Sequence, residues 1–269
     1  MSMKKSYKSL AVVLVSCLSL PVLAHEAWIL PYDFNQDQSA MVKAHLQVGE
    51  LFKGNSQLYN PDKFERLEVI RNGASTPVQG RMGDLPAIIH KLTEPGMHVL
   101  LYQSTGSIIS YGNWDKFARF TENEGVSWAQ QEHLSRGYPR KDFNEIFIRY
   151  AKSLITWQKV DGSDTRSGMP FEIVALNNPY LDGGKIRVEV LWKGKPYANA
   201  QLSVFSKKPG QKAVRATLRT DAEGRVDVPV TSGTRYLLNS VRMEPLEYRH
   251  NSPLWRSHWT SMTLQLPDP

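Results

Sequence analysis

The chain has 269 residues, one cysteine, a formal net charge of +7 and 41% hydrophobic residues. A single cysteine excludes a disulfide framework and any site built from several thiolates. The basic residues are scattered, with Lys207-Lys208 the densest internal pair, so the sequence lacks the basic stripe of a nucleic-acid binder.

The first segment reads as a signal peptide, residues 1–24. Lys4, Lys5 and Lys8 precede an apolar run from Leu10 to Leu20, and small Ala24 follows with Val22 two places before it. That run is too short to span a bilayer, and no later run of about 18 apolar residues exists. The expectation is a periplasmic chain with no transmembrane segment after processing. A competing reading takes Leu14-Val15-Ser16-Cys17 as a lipobox, with a lipid anchor on Cys17. The apolar run continues through Leu18, Leu20, Val22 and Leu23, which favours cleavage after Ala24. That cut removes three lysines, leaving a charge nearer +4, and removes the cysteine. It also makes His25 the first residue. An N-terminal histidine offers its free amine and its ring Nδ1 to one metal ion, which no internal histidine can do.

The next part reads as β-rich. Met41 to Val48 alternates, with Val42, Ala44, Leu46 and Val48 on one face and His45 on the other. Phe64 to Arg71, followed by Asn72-Gly73, is a second strand with a turn signal. Ile88 to Lys91 and Met97 to Ser104 follow. Trp114 to Glu124 and Ser127 to Arg136 read as short helices stopped by Gly125 and Gly137. Phe143, Ile146, Phe147, Tyr150 and Leu154 recur at helical spacing, which predicts a third, amphipathic helix. Lys159 to Met169 reads as a linker. Strands are expected again over Lys185–Trp192, Ala200–Phe205, Ala213–Arg219, Val226–Val230, Tyr236–Met243 and Thr260–Leu266. The expected fold is all-β: two immunoglobulin- or prealbumin-like β-sandwich domains, 25–112 and 171–267, with a helical insertion over 113–160.

His25, Glu26, Trp28 and Pro31 directly after the leader, then Val48-Gly49-Glu50-x-Phe52-x-Gly54, form one set of motifs. Lys116-Phe117, Glu124-Gly125 and Tyr150-Ala151-Lys152 form another. Gly194-Lys195-Pro196 with Ala200, Thr220-Asp221-Ala222-x-Gly224, and Trp255-x-Ser257-x-Trp259-x-Ser261-x-Thr263 complete the set. Together they resemble a domain-of-unknown-function family labelled as the periplasmic component of cobalt or nickel uptake systems. The resemblance covers essentially the whole exported chain, and it implies metal handling beside a membrane uptake system. Where that family carries a histidine in a late strand, this chain has Val241-Arg242-Met243.

The leading expectation is a non-enzymatic protein that binds nickel, cobalt or copper for uptake or delivery, anchored by His25. Nitrogen ligands favour copper over nickel and cobalt. Candidate additional ligands are His45, His98 and His258; His250 lies in the same aromatic-rich region as His258. His90 and His133 read as ordinary surface residues. Glu26 is either a further carboxylate ligand or simply exposed. Trp114, Trp128, Trp157, Trp255 and Trp259 read mainly as core or interdomain anchors. Two alternatives stay open: a histidine-brace copper oxygenase acting on a polysaccharide stacked on those tryptophans, and a plain structural or adhesive module. No serine-hydrolase elbow, zinc-protease motif, phosphate loop or dinucleotide fingerprint occurs.

Overall fold

The computed structural model describes residues 25–249 and 251–268. The expected leader with Cys17 and the expected cut at Ala24 lie outside the described residues, as does His250. The chain opens with β1 (Glu26–Pro31), β2 (Asn35–Gln36), β3 (Met41–Glu50) and β4 (Lys53–Gln57). It continues with β5 (Phe64–Arg71), β6 (Ala74–Pro77), β7 (Ile88–Lys91), β8 (Gly96–Ser104) and β9 (Ser107–Tyr111). Two helices, α1 (Trp114–Asn123) and α2 (Trp128–Ser135), precede the long β10 (Phe143–Trp157). Next come β11 (Phe171–Ala175), the short α3 (Pro179–Asp182), β12 (Lys185–Trp192) and β13 (Lys195–Pro196). The chain ends with β14 (Gln201–Lys207), β15 (Val214–Arg219), β16 (Arg225–Pro229), β17 (Arg235–Pro245) and β18 (Trp255–Gln265).

The fold is all-β and sandwich-like. A ten-stranded sheet runs β15-β14-β17-β18-β10-β8-β5-β6, with β2 and β9 also paired to β10. Two four-stranded sheets cover it: β1, β3, β4 and β7 form one, and β11, β12, β13 and β16 the other. The core under the first holds Ile29, Val42, Ala44, Leu100 and Ile155. The core under the second holds Ile173, Val188, Val190, Leu154 and Met262. At one end α1 and α2 pack Phe117, Phe120 and Ala129 onto Phe143, Trp255 and Trp259. Asn113 caps α1 by accepting from the Lys116 N–H, and Gly125 ends it at φ +70°, as glycine stops do.

The expected helix over Phe143 to Leu154 is not formed. This segment is β10, which pairs in parallel with β18 from Glu145↔Trp255 to Ser153↔Thr263. That pairing joins the early and late β regions into one sheet. The helical character of 113–160 therefore stops at Ser135. The physical reason lies in the layering. Tyr150 and Leu154 face one covering sheet, while Ala151 and Ile155 face the other. A strand buried on both faces loses the alternation that marks a half-exposed strand, and its apolar residues then fall at three- and four-residue steps by coincidence.

Candidate ligand site at the head of the first strand

β1 carries the site because its two edges are held. It pairs with β3 from Glu26↔Gly49 to Pro31↔Ala44. On the ten-stranded sheet, Ser261 Oγ donates to Ala27 O at 2.6 Å and Thr263 Oγ1 to Ile29 O at 2.7 Å. His25 therefore stands at the head of a fixed strand. Its Nδ1 lies 3.1 Å from Glu50 Oε1, and its side chain is one quarter exposed. Glu50 is presented by the β3–β4 turn, whose Leu51 and Phe52 both adopt left-handed backbone conformations.

Glu26, next in the chain, turns inward. It is buried, a correction to its expected exposure, and its Oε2 has no hydrogen-bond partner. Burial pushes its carboxyl up to about 7, and the nearby charge of Glu124 adds to the shift. Glu124 caps the end of α1. It accepts from Arg215 Nη2 and Asn239 Nδ2, both at 3.2 Å, yet burial still raises its pKa. Glu26, Glu50, Glu124, Lys116, Arg119 and Arg215 line a cavity of about 680 Å³. The arrangement sets the His25 imidazole beside Glu50, which shares a cavity with Glu26 and Glu124. Its chemistry is that of a cation or proton site, balanced on one side by guanidinium groups.

The other predicted ligands lie elsewhere. His45 sits opposite Leu30 in the β1–β3 register, whereas His25 heads the strand beside Glu50, so the two are about 17 Å apart along β1. The His45 ring packs on Tyr32 with centroids 5.1 Å apart. His98 is buried in β8, its Nδ1 3.0 Å from Gly96 O. His258 lies between the ten-stranded sheet and β12, its Nδ1 3.1 Å from Tyr150 OH and its Nε2 3.2 Å from Glu244. Among the described residues no three His, Cys, Asp or Glu side chains group as a metal set.

One further expectation changes, and more residues are placed. His133 is fully buried and not a surface residue; its Nδ1 accepts from Trp255 Nε1 at 3.0 Å. Trp255 and Trp259 are core residues, whereas Trp128 is 48% exposed, so the first two offer no face to a sugar. Arg242, in the place of the family histidine, stacks over Trp192 and Tyr197. Sequence reasoning missed Glu124 and Arg215 as partners of Glu26, because no local motif links residues so far apart.

No curated protein matches the chain. The profile of a family described as "Domain of unknown function (DUF4198)" matches residues 22–244, from just before β1 through most of β17. This span covers the site at the head of β1 and most of the three-sheet architecture, and the chain therefore belongs to the DUF4198 family.

Proposed function

We propose that the processed chain is a periplasmic, non-enzymatic protein that binds nickel, cobalt or copper and serves metal uptake or delivery. The observation that carries this reading is the contact of His25 Nδ1 with Glu50 at 3.1 Å, next to the buried, unpartnered Oε2 of Glu26. These donors fit a borderline divalent ion: imidazole suits copper and nickel, and carboxylate oxygens add charge. The His25 amine and Nδ1 would hold the metal, with Glu50 and Glu26 as the nearest carboxylates. An orphaned buried oxygen is costly, and a bound cation would relieve that cost.

The test is calorimetry of the processed protein, with its N-terminus verified by mass spectrometry, against copper, nickel and cobalt. A parallel form carries one extra glycine before His25. The expected result is a Kd below about 10 μM for at least one metal, weakened at least tenfold by the extension. Equal binding by both forms, or no metal bound that tightly, overturns the reading.

A further inference from the structure

A second cavity, of about 390 Å³, lies behind β1 and between β3–β4 and β8–β10. It differs in charge from the first cavity, where three carboxylates face three cations. Its lining holds two cations, Lys63 and Arg149, and no aspartate or glutamate. Arg149 stands on β10 and forms no ion pair among the described residues. Its Nε is buried without a partner. Its Nη2 reaches only His25 O, at a long 3.4 Å, and its guanidinium lies over the Phe147 ring at 4.5 Å. Burial pushes this guanidinium down to about 10. Trp28 lines the same cavity, is 1% exposed, and leaves its indole N–H unpartnered.

These orphans have a cost. Arg149 is half-buried, and a charge drawn partly out of water without a counter-ion is unfavourable, while an unmet buried indole donor costs about 1–3 kcal/mol. Folded proteins seldom keep two such donors on one cavity unless something else supplies acceptors. The volume falls in the range of small-ligand pockets, which combine apolar walls with a few convergent polar groups. Phe64, Tyr102 and Phe147 supply the apolar wall here.

We propose that this cavity binds a small organic carboxylate, its carboxylate on the Arg149 fork and its apolar body against the aromatic wall. A guanidinium presents paired donors that match a carboxylate bidentately. The indole N–H of Trp28 supplies a further donor, and Lys63 adds positive charge. The site does not depend on the metal reading, because none of Arg149, Trp28 and Lys63 is a proposed metal ligand and Arg149 meets His25 only at its backbone carbonyl.

Saturation-transfer NMR and calorimetry of the processed chain test this with three probes: benzoate, acetate and sulfate. Benzoate is expected to bind with a Kd below about 1 mM, and acetate and sulfate at least tenfold more weakly. Arg149→Met is expected to lose benzoate binding at least tenfold without lowering the melting temperature, because the guanidinium it removes has no ion-pair partner among the described residues and a buried Nε without a hydrogen bond. Trp28→Phe keeps the ring and deletes the donor; its benzoate affinity is expected to fall several-fold, which keeps the test open even if the arginine variant fails to fold. Absence of benzoate binding at 10 mM overturns the proposal. So does binding undiminished in both variants, and so does sulfate bound more tightly than benzoate.

Discussion

The Lys152 ammonium lies 3.1 Å from Asp164 Oδ1, with 0% and 1% of the two side chains exposed. Glu172 Oε2 is also 3.1 Å from the same nitrogen. The triad ties β10 to the segment 159–169 and to β11. Asp164 Oδ2 accepts from the Ala175 N–H at 2.9 Å, and Glu172 accepts from Ser167 N and Oγ. The linker expected from composition is thus pinned by interior charges. Lys152→Met would leave two carboxylates buried without a cation, and breaking such a set costs about 3–5 kcal/mol. Urea unfolding is expected to show that loss, with a melting temperature lower by about 10 °C for a chain of this size. Adding Asp164→Asn and Glu172→Gln to the same protein should restore much of the loss.

Stability is also expected to depend on pH through opposed groups, of which Glu145 and His258 are an example. Glu145 is fully buried, accepts from Tyr111 OH at 3.0 Å and from Ser257 Oγ, and is pushed up to about 7 by burial. Between the ordinary 4.5 and about 7 the folded state keeps a proton that the unfolded chain releases, so this group makes stability fall as pH rises. His258 is pushed down to about 4, chiefly by burial, against the pull of Glu244. Below the ordinary 6.5 the unfolded chain takes up a proton that the folded imidazole refuses, so this group makes stability fall as pH drops. The two effects oppose each other across the shared window. Glu145→Gln removes the first alone. Urea midpoints from pH 4.5 to 8 should show a steeper acid loss in the variant and a gain of about 1–3 kcal/mol at pH 8.

The placement of the histidines predicts which ones matter for metal. His45, His98 and His258 each stand in a different part of the fold from His25. His45→Ala, His98→Ala and His258→Gln are therefore expected to leave copper affinity within about twofold, by calorimetry on the processed chain. Glu50→Gln is expected to weaken it several-fold, because among the described residues Glu50 is the side chain at hydrogen-bond distance from the His25 ring. A large loss in any of the first three variants would relocate the site.

Half-exposed strands were legible in the sequence. Ile88–Lys91 and Lys185–Trp192 form as read, because one face meets a core and the other meets water or polar neighbours. The two glycine-stopped helices form for the same local reasons. The strand β10 was illegible because it sits between two covering sheets, and its parallel partner β18 is about a hundred residues away. Glu26 and His133 were misplaced for a related reason. Glu26 shares its cavity with Glu124 and Arg215, and His133 packs against Phe117, Phe143 and Trp255, none of which local periodicity links to them. Of the candidate site, His25 and Glu50 were legible as members of motifs, but the neighbours Glu124 and Arg215 exist only in three dimensions.

The motif Val48-Gly49-Glu50-x-Phe52-x-Gly54 acquires a physical meaning in the β3–β4 turn, and a last prediction follows from it. Gly49 pairs with Gly54 across the turn. A Cβ on Gly49 would overlap the Lys53 carbonyl oxygen and the Gly54 Cα, backbone atoms that cannot swing aside. Gly49→Ala must therefore displace the turn that presents Glu50 to His25. The expected outcome is a loss of about 1–3 kcal/mol, typical of overpacking, together with at least tenfold weaker copper binding. Gly73→Ala is the control. Its Cβ would meet nothing within 4 Å, although its φ of +81° is strained for alanine, so it should lose about 1–2 kcal/mol and keep its copper affinity. If Gly49→Ala binds copper as the native chain does, the turn does not position the metal site, and Glu50 is beside His25 only as a surface contact.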